Sequence, residues 1–207
     1  MRTHSKETQA KLTPDMAIEF LKEGNDRFVK NLKANRNLLQ QVNETSDGQY
    51  PFATILSCID SRTSVELIFD QGLGDVFSIR IAGNILNDDI LGSMEFATNV
   101  AGSKLIVVLG HSKCGAIIGA CNHVEMGNLT TLLKKVQPAI DMETKSTENR
   151  TGSNKEFVTN VTELNVHHTI ERIRKESPIL ANMEKEGKIK IIGGLHDIED
   201  GRVTFFE

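Results

Sequence analysis

Two short stretches of the sequence place soft metal ligands directly after apolar runs. The first reads SCIDSRTS and contains Cys58, and the second reads LGHSKCG and contains His111 and Cys114. Thiolate and imidazole ligands together favour zinc over hard cations such as magnesium or calcium. The two stretches therefore predict one zinc ion per chain, bound by Cys58, His111 and Cys114.

The number of protein ligands bears on what such a site can do. Structural zinc sites are usually closed by four protein ligands, whereas catalytic sites have three and keep one position open. The remaining thiol, Cys121, follows Cys114 by seven residues, which is about 10 Å along a helix axis. That distance is too long for both thiols to bind one ion unless the helix breaks. The spacing thus predicts three ligands and an open position.

Asp60 and Arg62 follow Cys58 at alternate positions. In an extended segment, alternate residues point to the same face, so both side chains are expected beside the metal. Asp60 could accept a hydrogen bond from a water on the metal while Arg62 keeps it ionised through a charge-assisted bond. Alternatively, Asp60 could itself occupy the fourth position and close the site. A surface ion pair, which contributes little to stability, is the less specific interpretation.

The segments around these residues predict an α/β fold. Three apolar runs are continuous rather than alternating, which is typical of strands buried on both faces of a parallel sheet. Strands that alternate with helices indicate such a sheet, and ligands bind at the carboxyl ends of its strands. We expect about four parallel strands and an antiparallel edge strand, flanked by helices. The predicted strands are 51–58, 76–83, 104–111, 188–195 and 203–206, and the predicted helices after the first strand are 87–101, 114–124, 128–142 and 155–175.

The first 45 residues are expected to form a helical arm. Residues 13–32 show apolar side chains at helical spacing, with Thr13 as a capping residue and Pro14 in the first turn. A polar stretch at 43–49 then predicts a loop before the core. A second polar stretch, 143–156, predicts an exposed loop or a break between two helices.

The composition limits the classes of function. A length of 207 residues with 39% hydrophobic and 25% charged residues fits a single globular domain, 1–207. A net charge of -4 and a single tyrosine argue against a nucleic-acid surface. No window is apolar enough for a membrane span or a signal peptide, and three cysteines do not suit a disulfide framework. We therefore expect a cytoplasmic protein with a small-molecule substrate, and with no nucleic-acid or membrane partner.

The two stretches together resemble the β-class carbonic anhydrases. The resemblance is carried by CIDSR followed by GHSKCG. It extends to the intervening FDQGLGDVFSIRIAGN, to GSMEFATNVAGSKLIVVLGH and to the C-terminal IIGGLHDIEDGRVTFF, and it covers residues 14–207. Thr63 is a departure, because an aliphatic residue is common there in the family.

This resemblance implies zinc-dependent, reversible hydration of carbon dioxide to bicarbonate and a proton. By position, Cys58, His111 and Cys114 match the family's zinc ligands, and Asp60 and Arg62 match its catalytic pair. It also implies a homodimer or a dimer of dimers, in which the arm packs on the partner subunit.

Four further positions match substrate-binding residues of the family. Gln49 matches a glutamine that donates to bound substrate from the partner subunit or from close to the dimer interface. Gly115 matches a position whose backbone N–H faces the bound anion. Phe77 and Ala82 match residues that line the pocket, and the family often has a larger residue in place of Ala82.

Two other functions remain open on the sequence alone. The same scaffold could hydrolyse carbon disulfide or carbonyl sulfide, which are also cumulated molecules. Alternatively, zinc could only stabilise a non-catalytic interaction domain. The Asp60–Arg62 pair beside an open metal position argues against the second alternative.

Overall fold

The computed structural model describes residues 3–206, which fold around one five-stranded sheet. The strand order is β2-β1-β3-β4-β5; the first four strands are parallel, and β5 pairs antiparallel with β4. The strands are β1 (Ala53–Ser57), β2 (Val76–Arg80), β3 (Leu105–His111), β4 (Lys190–His196) and β5 (Val203–Phe206). This confirms the predicted α/β class and its antiparallel edge strand.

Helices cover both faces of the sheet, and α1 to α3 precede its first strand along the chain. They are α1 (Lys6–Gln9), α2 (Pro14–Val29), α3 (Leu38–Glu44), α4 (Val65–Ile68), α5 (Asp88–Glu95), α6 (Gly115–Cys121), α7 (Gly127–Leu133), α8 (Gln137–Met142), α9 (Lys155–Glu176) and α10 (Pro178–Lys185). A short 3₁₀ turn at Ala82–Asn84 follows β2, and a π-helical turn at Phe96–Val100 follows α5. No helix within residues 3–206 is long and apolar enough to cross a membrane.

The two central strands that lead to the metal ligands are buried along their whole length. Every residue of β1 and β3 is buried. This burial explains the continuous apolar run of β3, since α2 and α4 cover one face and α9 crosses the other. The same expectation for the run at 76–83 is wrong, because β2 is an edge strand and none of its residues is buried. Strands β1 and β3 are therefore rigid supports for the residues at their carboxyl ends.

Helix α2 begins as the sequence predicts. The Thr13 side chain accepts a hydrogen bond from the Met16 amide at 3.2 Å, and Pro14 occupies the first turn. The helix ends at Val29, three residues before the predicted boundary, and Asn31 then takes a left-handed conformation with φ of 54°. The buried face of α2 packs against this chain's own sheet, next to Ile55 and Leu109.

The predicted helix 128–142 is wrong as a single element. The structure has two helices, α7 and α8, and a break at residues 134–136. Pro138 is the physical reason, because proline lacks an amide hydrogen and its ring disfavours helical geometry before it. It is accommodated in the first turn of α8, where the amide would have no helical partner.

The polar stretch after α8 is a loop that one buried carboxylate holds in place. Glu143 accepts hydrogen bonds from the Ser146 amide at 3.0 Å, from Arg150 Nη1 at 2.7 Å and from Asn160 Nδ2 at 3.2 Å. The Arg150 guanidinium also lies 4.8 Å from the centre of the Phe157 ring. The loop thereby packs against the start of α9.

The segment between α2 and α3 is anchored by a single aspartate. Asp70 follows α4, and its carboxylate accepts hydrogen bonds from Arg27 Nε at 2.5 Å and from Arg36 Nη1 at 2.6 Å. Beyond this anchor, α3 exposes the side chains of Leu38, Leu39 and Val42. The arm therefore contacts its own chain and also leaves an apolar surface uncovered.

Candidate metal centre and active site

The sheet topology brings the three predicted metal ligands together. Strands β1 and β3 are parallel neighbours, Cys58 directly follows β1, and His111 is the last residue of β3. Cys114 precedes the first turn of α6 and is directed back to the same point. The three side chains are buried, and their ligand atoms all lie within 4.8 Å of one another.

The histidine is oriented as a metal ligand. Its Nδ1 atom lies 2.9 Å from the carbonyl oxygen of Ser112. A carbonyl can only accept a hydrogen bond, so Nδ1 is the donor, and in the neutral imidazole Nε2 then has the lone pair that a metal ion needs. Nε2 is buried, and none of the described residues provides a hydrogen-bond partner for it. A metal ion between this nitrogen and the two sulfurs would satisfy the site.

The two thiols lie in direct contact. Their Sγ atoms are 3.9 Å apart, and the Gly83 amide donates to Cys58 Sγ at 3.4 Å. The hydrogen bond from Cys114 lowers the pKa of Cys58 against the effect of burial, whereas the same pairing together with burial raises the pKa of Cys114. One thiolate at a time is therefore stable without a cation, and a cation would favour both.

Asp60 and Arg62 form a bidentate ion pair beside this group. Arg62 Nε lies 2.9 Å from Asp60 Oδ1, and Arg62 Nη2 lies 2.7 Å from Oδ2. These hydrogen bonds hold the pKa of Asp60 well below its usual range, against a smaller opposing effect of burial. The carboxylate is therefore ionised and can only accept hydrogen bonds.

The route by which the pair forms differs from the expectation of an extended segment. Strand β1 ends at Ser57, and the chain then turns at 61–62. The Arg62 amide donates to Asp60 Oδ1 at 3.0 Å, and the Thr63 amide donates to the Asp60 carbonyl at 3.0 Å. The aspartate side chain closes its own turn, which competes with extended geometry. Local hydrogen bonding, rather than strand alternation, brings the two side chains together.

Comparison with known proteins agrees with this geometry. The family profile described as carbonic anhydrase matches residues 53–203. Carbonic anhydrase 2 of Mycobacterium tuberculosis is 34% identical over 199 residues, which cover 92% of each chain. The carbonic anhydrase of Mycolicibacterium smegmatis is 33% identical over 197 residues, again 92% of each chain.

The chain belongs to the β-class carbonic anhydrases. A solved structure from Sordaria macrospora, one of two described as tetrameric β-carbonic anhydrases, superposes with a TM-score of 0.69. Its sequence is 27% identical, and the match covers 79% of this chain and 84% of the other. The protein is thus a carbonic anhydrase, a lyase of a metalloenzyme family, with a Cys–His–Cys group where such a centre needs ligands.

Arg80 is a residue of this carbonic anhydrase that the sequence patterns did not indicate. It ends β2 and pairs in register with Ser57, next to the first ligand. Its Nε atom donates to the Cys58 carbonyl at 3.1 Å, and its Nη2 atom donates to the Asp60 carbonyl at 2.6 Å. One guanidinium therefore fixes the backbone that carries Asp60 and a candidate metal ligand, Cys58. The signal in the sequence was that Arg80 lies within the predicted strand 76–83 and within the stretch FDQGLGDVFSIRIAGN, which resembles the family.

Thr63 supports the same backbone. Its side chain is buried, and its hydroxyl lies 2.9 Å from the Asp60 carbonyl and 3.3 Å from the Cys58 carbonyl. An aliphatic residue could not donate these hydrogen bonds. The Thr63 hydroxyl therefore holds the backbone of this turn by hydrogen bonding.

Two of the predicted substrate-binding residues adjoin the metal ligands. Ala82 begins the 3₁₀ turn whose next residue donates to Cys58 Sγ. Gly115 directly follows Cys114 and is exposed. Apart from its two chain neighbours and the nearby backbone of its own helix, no described atom lies within 4 Å of the position that a Cβ of Gly115 would take. The backbone here therefore borders open space.

Gln49 and Phe77 are not brought to the metal ligands of their own chain. Gln49 precedes β1, and that strand, about 13 Å long at 3.3 Å per residue, separates it from Cys58. Phe77 pairs with Thr54 in the amino half of the sheet, and its ring lies 6.4 Å from that of Phe96. Phe77 lies on the edge strand β2.

Proposed function

We propose that this enzyme is a zinc-dependent carbonic anhydrase that interconverts carbon dioxide with bicarbonate and a proton. The observation that carries the proposal is the buried group of Cys58, His111 and Cys114, with its free imidazole Nε2 beside an ionised Asp60. The family provides the reaction class, and the residues provide the parts that this reaction needs.

The donor set fits zinc. Two thiolates at Zn–S distances of about 2.3 Å and a tetrahedral angle would have their sulfurs about 3.8 Å apart, close to the 3.9 Å between Cys58 and Cys114. The imidazole of His111 would be the third ligand. When bound, zinc supplies a Lewis acid that acidifies water, so that a hydroxide nucleophile forms near neutral pH.

Asp60 is proposed to orient the nucleophile. As an ionised carboxylate it accepts the O–H hydrogen of the attacking water, which directs an oxygen lone pair towards the carbon of carbon dioxide. Arg62 keeps this carboxylate charged and at a fixed angle through two parallel hydrogen bonds. Within residues 3–206, the close group of metal ligands does not include Asp60, which supports the orienting role over that of a fourth ligand.

The remaining predicted residues are proposed to form the substrate pocket. Ala82 would provide an apolar wall for an apolar gas, and the amide of Gly115 would donate to an oxygen of bicarbonate. Gln49 and Phe77 lie too far from the ligands of their own chain to contribute there. We therefore assign them to the site of a partner subunit.

This assignment requires a homodimer, which we propose as the minimal active unit. The apolar side chains of Leu38, Leu39 and Val42 on α3 are exposed, as are Phe96 and Val100 on the π-helical turn. Exposed apolar surface of this kind is typical of interfaces, and the arm would pack on the partner subunit. A Leu39→Asp variant should sediment as a monomer and lose activity. Leu67→Asp, on α4, is the control for replacing an exposed apolar residue elsewhere, and it should have neither effect.

We also propose a cytoplasmic location. All three cysteines are free and buried, and reduced thiols persist in a reducing compartment. Fractionation of cells that produce the protein would test the location directly.

Stopped-flow hydration of carbon dioxide by purified, zinc-loaded protein tests the function. Two thiolates donate more negative charge to zinc than neutral imidazoles do. The pKa of a water bound to zinc should therefore be higher here than at a site with three histidines. We therefore expect rapid turnover that is faster at pH 8.5 than at pH 7.0. Absence of turnover with zinc bound, or turnover only of carbon disulfide or carbonyl sulfide, would overturn the proposal.

A further inference from the structure

We infer that Asn165, on helix α9, is a positioning residue that fixes the hydrogen bond from the Gly83 amide to the thiolate of Cys58. This inference rests on the proposed metal site and extends it to a part of the chain far away in sequence. It is carried by a continuous set of contacts from the helix to the ligand.

The first link is between Gly83 and Cys58. The Gly83 amide donates to Cys58 Sγ at 3.4 Å. Gly83 has φ of 67° and ψ of 15°, a left-handed conformation that glycine adopts without strain. A Cβ here would also lie 3.3 Å from that of Ala116. The turn is therefore shaped so that this amide points at the sulfur.

The second link is between Asn165 and Gly83. The Asn165 side chain is buried at 2% exposure, and its Nδ2 atom donates to the Gly83 carbonyl oxygen at 3.0 Å. The amide and the carbonyl of Gly83 flank the same Cα. When the carbonyl is held and Gly83 keeps its φ of 67° and ψ of 15°, the direction of the amide is fixed as well.

Asn165 is unusual among the buried residues of its helix. Most of them are apolar or, like Thr162, bond to the backbone of α9 itself at 2.7 Å. Asn165 instead donates its hydrogen bond to a turn 82 residues away. A buried amide costs desolvation unless it is paired, and an apolar residue would pack here without that cost. A buried asparagine at position 165 is explained if the turn that contains Gly83 must be held at a defined position.

Helix α9 also packs closely against β3, the strand that ends in His111. A Cβ on Gly110 would lie 2.9 Å from Val166 and 3.3 Å from Thr162, so the helix packs closely on the β3 backbone. The same helix therefore contacts the backbone before one ligand and the turn that bonds another. It acts as a common support for both sides of the metal centre.

The consequence concerns the sulfur of Cys58. An N–H···S hydrogen bond stabilises negative charge on a metal-bound thiolate and tunes its bond to the metal. Without Asn165, the turn is free to rotate its amide away from the sulfur. The thiolate would then bind the metal with altered electronic character and would release it faster.

Cobalt(II) provides a direct spectroscopic test. The wild type, Asn165→Leu and Asn165→Ala would each be loaded with cobalt, and the thiolate-to-cobalt charge-transfer band would be recorded. Metal release to a chelator and thermal unfolding of the metal-free proteins would be measured alongside. The smaller Asn165→Ala removes the donor without adding bulk, so it serves if the leucine variant does not fold. Thr169→Val is the matched control, because Thr169 is buried on the same helix.

We expect both Asn165 variants to shift the band and to release metal about 10–100-fold faster, while Thr169→Val leaves both unchanged. A lower unfolding temperature with an unchanged band and release rate would show a merely structural role and overturn the inference. If the wild type itself bound no cobalt, the metal site would be wrong, and the inference would be overturned with it. That outcome is distinguishable because it does not depend on Asn165.

Discussion

Arg62 and Asp60 are joined by two parallel hydrogen bonds, from Nε to Oδ1 at 2.9 Å and from Nη2 to Oδ2 at 2.7 Å. The arginine side chain is 54% exposed and the aspartate only 16% exposed, so the pair lies at the mouth of the site with its carboxylate inward. This arrangement suits a hydrogen-bond acceptor held at one angle. It also distinguishes the pair from an ordinary surface ion pair.

The Asp60→Asn variant tests the orienting role. Asparagine keeps the shape of the side chain but presents an N–H₂ group and carries no charge. We expect zinc content to be unchanged and carbon dioxide hydration to fall by roughly 100-fold or more. Asp200→Asn, which removes the negative charge of an exposed ion pair with Arg202, should keep full activity. An Asp60→Asn enzyme with wild-type turnover would show that the assignment is wrong.

Replacement of Arg80 tests how strongly the backbone must be held. Methionine retains the apolar stem but donates to neither the Cys58 nor the Asp60 carbonyl. We expect Arg80→Met to remain folded and to lose about 10–100-fold in activity, as is typical when groups that orient metal ligands are removed. Steady-state hydration kinetics would measure the loss of activity, and circular dichroism would show whether the variant is folded.

Lysine provides a graded comparison at the same position. It carries the same charge, but its single ammonium group does not reproduce the planar fork of arginine. Arg80→Lys should therefore recover only part of the activity. Full recovery would indicate that charge, rather than the two hydrogen bonds, is what matters.

Replacement of a ligand cysteine and replacement of the packed Cys121 should differ in their effect on zinc content. Cys58→Ser is expected to lose most of its zinc, because serine is a poor zinc ligand. Cys121→Ser should keep one zinc per chain, since Cys121 lies in the core cluster beyond the close group of ligands. Metal analysis after dialysis would measure both. Equal zinc content in the two variants would contradict the ligand assignment.

Glu143 should make stability depend on pH in the acid range. Burial opposes ionisation of this side chain, but hydrogen bonds from Ser146 and Asn160 and the charge of Arg150 outweigh it and lower its pKa below the ordinary 4.5. A depressed carboxyl pKa stabilises the fold above the unfolded-state pKa, and this contribution is lost as the pH falls through the folded-state value. We expect the free energy of unfolding of the wild type to exceed that of Glu143→Gln most at pH 7.

Urea unfolding of the metal-free proteins at several pH values would measure this gap. It should narrow progressively below about pH 4.5. Glu148→Gln, an exposed residue of the same loop, should differ little from the wild type at any pH. A gap between the wild type and Glu143→Gln that is constant from pH 7 to pH 3.5 would contradict the prediction.

From the amino-acid sequence alone, one obtains the α/β class with its mainly parallel sheet, the capped helix α2 and the three candidate ligands. These depend on local rules: fully buried strands are continuously apolar, and parallel strands bring the residues at their carboxyl ends to one edge. Cys58 and His111 could be paired because each ends an apolar run that is expected to form a strand. The break before Pro138 was also visible in principle, since proline restricts the residue before it.

The tertiary structure alone decided which distant groups hold the site. Arg80 reaches the Cys58 carbonyl only because β2 and β1 pair in one register, and Asn165 reaches Gly83 only because α9 crosses the sheet there. Side-chain hydrogen bonds to a distant backbone leave no periodicity in the sequence. They depend on distances of a few tenths of an ångström between packed elements, which the chain defines only once it has folded.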